Sequence, residues 1–421
     1  MIDLKAAQQL DQQDPLRSFR SCFFHEENEI YLDGNSLGKL PKKVPDQMTE
    51  NISTQWGKQL IRSWNQNWLA LPKRLSKKYS QLLAADPDEL IFGESTSVRL
   101  YQILHALLSS HQYPPHLISD NLNFPTDLYV LEGLQKQFPD TAVTTINYGQ
   151  EIEADLNKLL QAIEQQPGIV CLSLVTFKSA YFYPMKKINQ WAAKHNSIVV
   201  WDLSHAVGAV PIDLEASETK IALGCTYKYM NGGPGSPAFL YVKKELHPKL
   251  DNPIQGWFGH ENPFDFDPKY KASPGLERFN NGTPPILSMQ AVEAGIDLVL
   301  QAGIENLRAK SIQQSEFLLG AIEEVLAPLG CSVHSPLDSK TRGSHIAISH
   351  SHAWQICQAL LAGDQKTPRI IPDFRPPNFI RIGITPLYTR FEDLWLLVNR
   401  IQTIVNSKIY LQFDETKQDV T

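Results

Sequence analysis

The sequence has few cysteines, and their arrangement excludes several classes of protein. It contains Cys22, Cys171, Cys225, Cys331 and Cys357, and no two of them form a CxxC pair. Single cysteines scattered this widely predict neither a disulfide framework nor a zinc site. They indicate mostly buried thiols in a reducing compartment, and we expect no bound metal.

Long apolar runs and an excess of positive charge are also missing. No apolar stretch approaches the roughly 18 residues that a membrane-spanning helix needs, and no apolar signal segment follows the N-terminus. The 39 Lys and Arg against 45 Asp and Glu give a formal net charge of −6. This balance predicts no affinity for nucleic acid or for an anionic membrane. We expect a cytoplasmic protein whose partners are small molecules or other protein chains.

What the chain does have is length and hydrophobic content. Its 421 residues, of which 42% are hydrophobic, exceed what one core usually organises, so two or three structural units are expected. Short β-branched runs alternate with helical stretches in the middle of the chain. The predicted strands are 116–120, 142–147, 169–175, 198–201 and 221–226. This alternation predicts an α/β fold with a mostly parallel sheet that is covered on both faces.

The C-terminal third has a different pattern. From Gly295 to Gly330, apolar residues recur at helical spacing and predict a long helical connection to a smaller domain. Two strand candidates, 344–349 and 379–384, and a helical stretch at 353–363 are typical of a small α+β domain. The expected division is an N-terminal segment (1–48) that packs with the small domain, a large domain (49–294) and a small C-terminal domain (295–421).

Two residues after neighbouring predicted strands indicate cofactor chemistry. Asp202 ends a buried strand, with His205 close behind, at the sheet edge where open α/β proteins bind ligands. Lys228 follows the next apolar run and precedes the glycine-rich turn Gly232–Gly235, which would let a flat ligand approach closely. Taken singly, Asp202 could cap a turn and Lys228 could lie on the surface. Together, an Asp for a pyridinium nitrogen and a Lys for a Schiff base suit pyridoxal phosphate.

Three further segments fit the same site. Ser95, Thr96 and Ser97 precede a predicted helix, where hydroxyls and free N–H groups either bind a phosphate or merely cap the helix. Phe124 lies on a strand-to-helix turn and could stack on a planar cofactor or pack in the core. Arg381 lies on a predicted strand, where burying it unpaired would be costly. It therefore needs a carboxylate partner, from a side chain or from the substrate.

Taken in order, these motifs resemble the kynureninase family of pyridoxal-phosphate enzymes, within the fold-type-I aminotransferase superfamily, and its bacterial members most. The matching segments are YLDGNSLG, WGKQLIRSWN, STSV, NFPTD, WDLSHAVGAVPIDL, GCTYKYMNGGPG, GWFGHENPF, FNNGTPPILSMQAVEAGID and RIGITPLYTRFEDLW. They cover nearly the whole chain. The resemblance implies a large domain with a mostly parallel seven-stranded sheet, a small α+β domain, and a homodimer with its active site at the subunit interface.

The resemblance also implies a role for each matching residue. Lys228 would hold the cofactor covalently and act as a base, Asp202 would keep the pyridine nitrogen protonated, and Tyr227 is a hypothetical proton carrier. Cofactor contacts would come from Thr96, Ser97, Phe124, Asp127, Ser173, His205, Tyr227, Trp257 and Thr283, with Trp257 and Thr283 reaching in from the neighbouring subunit. The substrate would be bound by Arg381, Trp64 and Asn35. The implied reaction is hydrolysis of L-kynurenine, or its 3-hydroxy derivative, to anthranilate or 3-hydroxyanthranilate and L-alanine in tryptophan catabolism.

The chain departs from the family's pattern near this site. Arg99 stands where Asn is usual, and it could be a solvated first-turn residue or add a positive charge to the pocket. Leu174, Thr176, Phe177 and Ala180 stand at the places of His, Asn, Tyr and Gly. These departures bear on the identity of the substrate rather than on the cofactor.

Two other interpretations remain open from the sequence. One is a different member of the superfamily, an aminotransferase or a desulfurase. A desulfurase needs a reactive cysteine on a mobile loop, a description that suits neither Cys225 in its apolar strand nor Cys331 in the small domain. The other is a catalytically silent cofactor-binding protein, for which Lys228, Asp202 and Arg381 together would have no purpose.

Overall fold

The computed structural model describes residues 3–363 and 367–416. Its α-helices are α1 (Leu4–Gln13), α2 (Val44–Glu50), α3 (Leu71–Leu83), α4 (Thr96–Ser110), α5 (Pro125–Gln137), α6 (Leu156–Gln165), α7 (Met185–Lys194), α8 (Ile286–Ala302), α9 (Ile304–Ala321), α10 (Ala353–Ala362) and α11 (Phe391–Ser407). Its strands are β1 (Glu29–Tyr31), β2 (Leu90–Phe92), β3 (His116–Asp120), β4 (Ala142–Ile146), β5 (Ile169–Ser173), β6 (Ile198–Asp202), β7 (Ile221–Gly224), β8 (Phe239–Val242), β9 (Ser332–Val333), β10 (His345–Ser349), β11 (Arg369–Ile371), β12 (Asp373–Arg375) and β13 (Phe379–Gly383).

A seven-stranded sheet with the order β2-β8-β7-β6-β5-β3-β4 forms the centre of the molecule. The neighbours β7, β6, β5, β3 and β4 are parallel, while β8 runs antiparallel to both β7 and β2. Every residue of β3, β5, β6 and β7 is buried, as expected for strands covered by helices on both faces. The α/β fold with a mostly parallel sheet is confirmed.

Alternate residues of these strands pack into two separate cores. Leu172 and Trp201 belong to the core on one face, whereas Cys171 and Val200 belong to the core on the other. This separation follows from the two-residue period of a strand, which sends successive side chains to opposite faces. The carboxyl ends of β3, β5 and β6 meet at one edge of the sheet, so that edge is where polar side chains converge.

The C-terminal part forms a four-stranded antiparallel sheet with the order β12-β13-β10-β9. Its core includes residues of α9, α10 and α11, for example Leu318, Ile356 and Leu397. The N-terminal segment contacts this part of the chain, because β1 pairs in parallel with β11 and Asp14 forms an ion pair with Lys310 at 2.7 Å. The division at residues 48 and 294 stays a prediction, and the first two and last five residues of its outer ranges lie outside the described part.

Two boundaries differ from the sequence-based expectation. The predicted helical connection from Gly295 is two helices, α8 from Ile286 and α9 from Ile304, separated by Gly303 with φ 78°. A left-handed glycine ends a helix because it needs no Cβ clearance. The predicted strand 221–226 ends at Gly224, which pairs with Phe239 at the start of β8, so Lys228 follows on a loop.

The described residues contain neither a membrane-spanning helix nor a cluster of metal ligands. Within 3–363 and 367–416, no helix combines the length and hydropathy that a bilayer span requires. In the same residues, no group of three or more His, Cys, Asp or Glu side chains has an arrangement that could hold a metal ion.

Candidate active site

A cavity of about 630 Å³ opens at the carboxyl edge of the central sheet. Ser173 closes it from the end of β5, Asp202 from the end of β6, and Lys228 from the loop that follows β7. Most of the predicted site residues line this cavity: Asn35, Thr96, Ser97, Phe124, Asp127, Ser173, Asp202, His205, Tyr227, Lys228, Thr283 and Arg381. Residues far apart in the sequence therefore meet in one pocket.

Lys228 lies at the centre of this group. Its Nζ is 2.8 Å from Nε2 of His205 and 5.9 Å from the centroid of the Phe124 ring. Burial, reinforced by the charge of Lys228, holds the pKa of His205 well below its usual value. The imidazole is therefore neutral, and its Nε2 accepts from the lysine. Its buried Nδ1 has no hydrogen-bond partner among the described residues.

Two buried carboxyl groups accompany the lysine. Asp202 accepts a hydrogen bond from the backbone N–H of Ser204 at 2.7 Å, and burial raises its pKa despite the opposing effects of Ser204 and Lys228. Burial and the nearby charge of Asp202 raise the pKa of Asp127 well above its usual value, and its Oδ2 lacks a partner among the described residues. This end of the pocket can accept hydrogen bonds from a ligand that carries a positive charge or an N–H group.

The start of α4, by contrast, offers hydrogen-bond donors that suit a negatively charged ligand. Ser95 is the N-cap residue and accepts from the N–H of Val98 at 3.4 Å, and Thr96 and Ser97 form the first turn. The free N–H groups and hydroxyls of such a turn suit a phosphate dianion. Phe124 caps the next helix, α5, directly before Pro125, and its ring meets Phe177 edge-on at 5.2 Å.

Arg381 closes the side of the pocket that faces the small domain. It is 1% exposed on β13, and its guanidinium contacts Asp373 Oδ2 at 2.5 Å, which is the carboxylate partner that a buried arginine needs. The same group donates to Ser36 Oγ at 2.8 Å and to the Phe177 carbonyl at 2.5 Å. When the Asn35 amide is oriented with its oxygen toward the guanidinium, that oxygen accepts a hydrogen bond from Arg381 Nε at 2.8 Å.

A second guanidinium in the pocket was not predicted from the sequence. Arg375 on β12 donates to Asp373 at 2.9 Å and to Ser36 at 3.3 Å, so one carboxylate serves two arginines. Asp33 lies nearby, and burial together with the charge of Asp373 raises its pKa to about 7. The signal for Arg375 was hidden because its three-residue strand directly precedes two prolines.

Two predicted residues are not brought to this chain's pocket. Trp64 packs edge-on against Trp68 at 5.2 Å, with Phe258 on another side at 6.0 Å. Trp257 is 42% exposed and groups with Phe264 and other rings. Thr283, which the resemblance assigns to the neighbouring subunit's site, lines the pocket of its own chain.

The departures from the family's pattern lie mostly behind the pocket. The expectation that Arg99 could be solvated is wrong, because its side chain is fully buried and donates to the carbonyls of Gly93 and Phe279. Ala180 adopts φ 64°, a left-handed conformation that favours glycine, which is the residue expected at this place. Phe177 contacts both Phe124 and Arg381, while Leu174 and Thr176 are buried outside the pocket lining.

Comparison with known proteins gives relatives across almost the whole chain. A family model described as the kynureninase C-terminal domain matches residues 307–401. A kynureninase of Burkholderia mallei is 36% identical over 407 residues, which is 95% of this chain and 95% of that protein. A kynureninase of Pseudomonas fluorescens is 35% identical over 96% of this chain and 95% of its own length.

Solved structures share the fold at lower identity. A cysteine desulfurase of Thermococcus onnurineus superposes with a TM-score of 0.76 at 17% identity, covering 90% of this chain and 95% of that one. A cysteine desulfurase of Escherichia coli gives 0.75 at 17% identity, with 93% and 98% covered. A variant of the lyase C-DES with glycine covalently linked to its PLP cofactor gives 0.78 at 16% identity, with 91% and 98% covered. These likenesses establish a fold-type-I architecture.

Proposed function

The chain belongs to the kynureninase family, and we propose that the pocket at the carboxyl edge of its sheet is where it hydrolyses L-kynurenine. It is a pyridoxal-phosphate-dependent hydrolase, and its products are anthranilate and L-alanine. Relatives with that name at 36% identity over 95% of the chain support the reaction. A desulfurase or aminotransferase activity is not favoured, since the desulfurases are similar in fold at only 17% identity.

The observation that carries the site assignment is the set of groups around Lys228. A primary amine, two buried carboxyl groups, an aromatic ring and a helix N-terminus surround one cavity. Oδ2 of Asp127 and Nδ1 of His205 are buried polar atoms with no hydrogen-bond partner in the part of the chain that the structure describes, and a bound cofactor can satisfy them. The residues present therefore fit pyridoxal phosphate, with Asp202 toward the ring nitrogen, Phe124 against the ring, and Thr96 and Ser97 toward the phosphate.

When bound, pyridoxal phosphate supplies an electron sink that stabilises negative charge on the carbons next to the substrate nitrogen. Asp202 would place a carboxylate at the ring nitrogen, in a buried site where its charge acts strongly. Lys228 would hold the cofactor through its amine, and the same amine would move the proton of the substrate α-carbon. Arg381 holds the substrate α-carboxylate, and Asn35 and Ser36 orient the guanidinium.

Tyr227 is our candidate for moving a proton during cleavage of the carbon–carbon bond. Burial raises the pKa of its phenol, so the hydroxyl stays protonated and can donate. The centroid of its ring lies 5.9 Å from Nζ of Lys228. A phenol on the residue next to Lys228 could protonate the alanine carbon after the aromatic product separates.

The test of this function is incubation of the purified protein with L-kynurenine, followed by fluorescence of anthranilate and amino-acid analysis of alanine. A yellow, cofactor-loaded protein that forms neither product would refute the proposal. Borohydride reduction and peptide mapping test the site, since the pyridoxyl label should fall on Lys228. Parallel assays with 3-hydroxy-L-kynurenine establish which of the two substrates is preferred.

We also propose a homodimer in which each subunit completes the other's site. Trp257, Phe264 and Phe266 form an exposed aromatic group, and large exposed apolar patches mark interfaces. Sedimentation analysis tests the assembly. Mixing two inactive variants, Lys228→Ala and Trp257→Ala, tests the shared site. If Trp257 serves the neighbouring subunit, mixed dimers contain one intact site and regain activity, whereas no regain would contradict sharing. A cytoplasmic location belongs to the same proposal, supported by the free thiols of the chain.

A further inference from the structure

A buried positive charge lies behind the turn that we assign to the cofactor's phosphate. Arg99 extends from the first turns of α4, and its side chain is completely buried. Within residues 3–363 and 367–416 it forms no ion pair, and its Nη2 has no hydrogen-bond partner. Burying a guanidinium without a counter-ion is costly, so we expect a negatively charged group to bind near Arg99 in the functional protein.

The contacts of Arg99 connect two segments that both reach the pocket. Its Nε donates to the carbonyl of Gly93 at 3.1 Å, directly before Glu94 and Ser95 in the pocket wall. Its Nη1 donates to the carbonyl of Phe279 at 2.6 Å, four residues before Thr283, which also lines the pocket. The guanidinium therefore fixes the turn before α4 against the segment that carries Thr283.

A buried amide network reinforces the same connection. Gln102 bonds to Arg99 at 3.1 Å and donates to Asn252 at 3.1 Å and to Asn281 at 2.9 Å. Asn281 in turn donates to Glu94 at 3.0 Å. These neutral amides orient the guanidinium but leave its charge without an ionic partner. Glu94 is the acid whose charge acts on Arg99, and burial still lowers the arginine's pKa to about 10.

We propose that Arg99 is a positioning residue for the phosphate of the cofactor, acting as a buried counter-charge behind the turn formed by Ser95, Thr96 and Ser97. The inference rests on the proposed function, since it presumes that a phosphate dianion binds at the start of α4. A dianion there would add negative charge near Arg99, which forms no ion pair among the described residues and feels the charge of Glu94 without direct contact. In a low-dielectric interior, opposite charges interact strongly without touching.

The experiment compares binding of pyridoxal phosphate and of pyridoxal, which has the same ring and aldehyde but no phosphate. Affinities are measured by absorbance for the wild type, Arg99→Gln, Arg99→Lys and a control, Arg278→Gln. Arg278 lies beside the same segment and is mostly buried, but its guanidinium pairs with Asp251 at 3.5 Å. Thermal unfolding of each apo protein is recorded alongside.

We expect Arg99→Gln to weaken pyridoxal phosphate by about tenfold or more and to leave pyridoxal unchanged within about twofold. The lysine variant keeps the charge and should retain most of the preference for the phosphorylated form, and Arg278→Gln should retain all of it. Pyridoxal phosphate should also raise the unfolding temperature of Arg99→Gln less than that of the wild type, because the variant loses a favourable contact only in the bound state.

A purely structural role for Arg99 would give a different result. Equal weakening of both ligands, or no weakening of either, would overturn the proposal. If the glutamine variant does not fold, the lysine variant decides. An unchanged preference of Arg99→Lys for pyridoxal phosphate over pyridoxal supports a role for the positive charge, and a tenfold loss of that preference refutes it. A wild type that fails to bind pyridoxal phosphate refutes the proposed function instead, so the two failures are distinguishable.

Discussion

Replacement of Arg381 by glutamine separates the arginine's contribution to folding from its contribution to catalysis. The guanidinium is 1% exposed and lies 2.5 Å from Asp373, which is itself buried. Arg381→Gln therefore removes the proposed contact for the substrate carboxylate and, at the same time, one partner of a buried ion pair. The loss of stability and the loss of activity differ in size, and a second substitution can restore the first without the other.

The loss of stability can be worked out from the pairing. Removing one partner of a buried ion pair costs about 3–5 kcal/mol, because the other charge is left uncompensated. Arg375 remains 2.9 Å from Asp373, so the carboxylate still has one cationic partner in the variant. We therefore expect a loss of stability near the lower end of this range, about 3 kcal/mol. The double variant Arg381→Gln, Asp373→Asn leaves no unpaired carboxylate at this position and should regain most of that loss. Arg375→Gln should cost less, since 32% of its side chain is exposed.

The expected loss of activity follows from the hydrogen bonds that we propose between Arg381 and the substrate carboxylate. A bond between charged groups contributes about 1.5–3 kcal/mol, so two such bonds predict a fall in kcat/KM of roughly 10²- to 10⁴-fold. Urea unfolding and steady-state kinetics are measured on the same preparations. The double variant should regain stability but not activity. If it regains both, Arg381 acts only through folding and the assignment of the substrate carboxylate to it is wrong.

Three further perturbations concern buried or partly buried ionisable side chains. In the folded state the pKa of Asp33 is about 7, above its ordinary value of 3.8, so folding takes up a proton and stability is lost as the pH rises between those values. Asp33→Asn removes this dependence, so the difference in unfolding temperature between the variant and the wild type should grow in the variant's favour from pH 5 to pH 8. A difference that does not change with pH contradicts the raised pKa of Asp33. Asp14→Asn removes the carboxylate that pairs with buried Lys310 and leaves the Pro386 carbonyl as the ammonium's hydrogen-bond acceptor among the described residues. This change should cost about 3 kcal/mol in urea unfolding, most of it regained on adding Lys310→Met. Tyr227→Phe should lower kcat by about 10²–10⁴ while the protein still binds cofactor, and an unchanged kcat would remove Tyr227 from the proton transfers.

The parts of the fold that the sequence predicts are those with a strong local signal. Strands β5 and β6 are continuously apolar up to their last residues, Ser173 and Asp202, so both their burial and the position of the candidate site at their carboxyl ends could be inferred. The order of the strands in the sheet could not be predicted from the sequence. The antiparallel neighbours β8 and β2 pair through contacts between distant segments, and such contacts produce no pattern in a short stretch of sequence.

The missed features of the site have the same origin. Arg375 and Asp373 meet Arg381 only because β12 pairs with β13, and a three-residue strand before two prolines has no periodicity to detect. From the sequence, Arg99 could be a solvated first-turn residue or add a positive charge to the pocket, and nothing nearby in the chain decides between the two. Its burial depends on the Phe279 carbonyl, which lies 180 residues further along the chain. Distances in sequence of this size can be read only from the folded structure.

The distribution of charge in the pocket gives the proposed ligands one orientation. Three groups of polar residues line it: Asp202 with Asp127, the N-terminus of α4, and Arg381 with Arg375. A cofactor with a protonated ring nitrogen and a phosphate dianion, joined to an amino acid with a free carboxylate, carries the complementary charge for each group. Turning this ligand end for end would bring its phosphate to buried carboxyl groups and its nitrogen to the helix terminus, and like charges in a buried site repel strongly. The weak net charge of the chain, −6, therefore does not identify which small molecule binds, because the selection is made by a few charges fixed around one cavity.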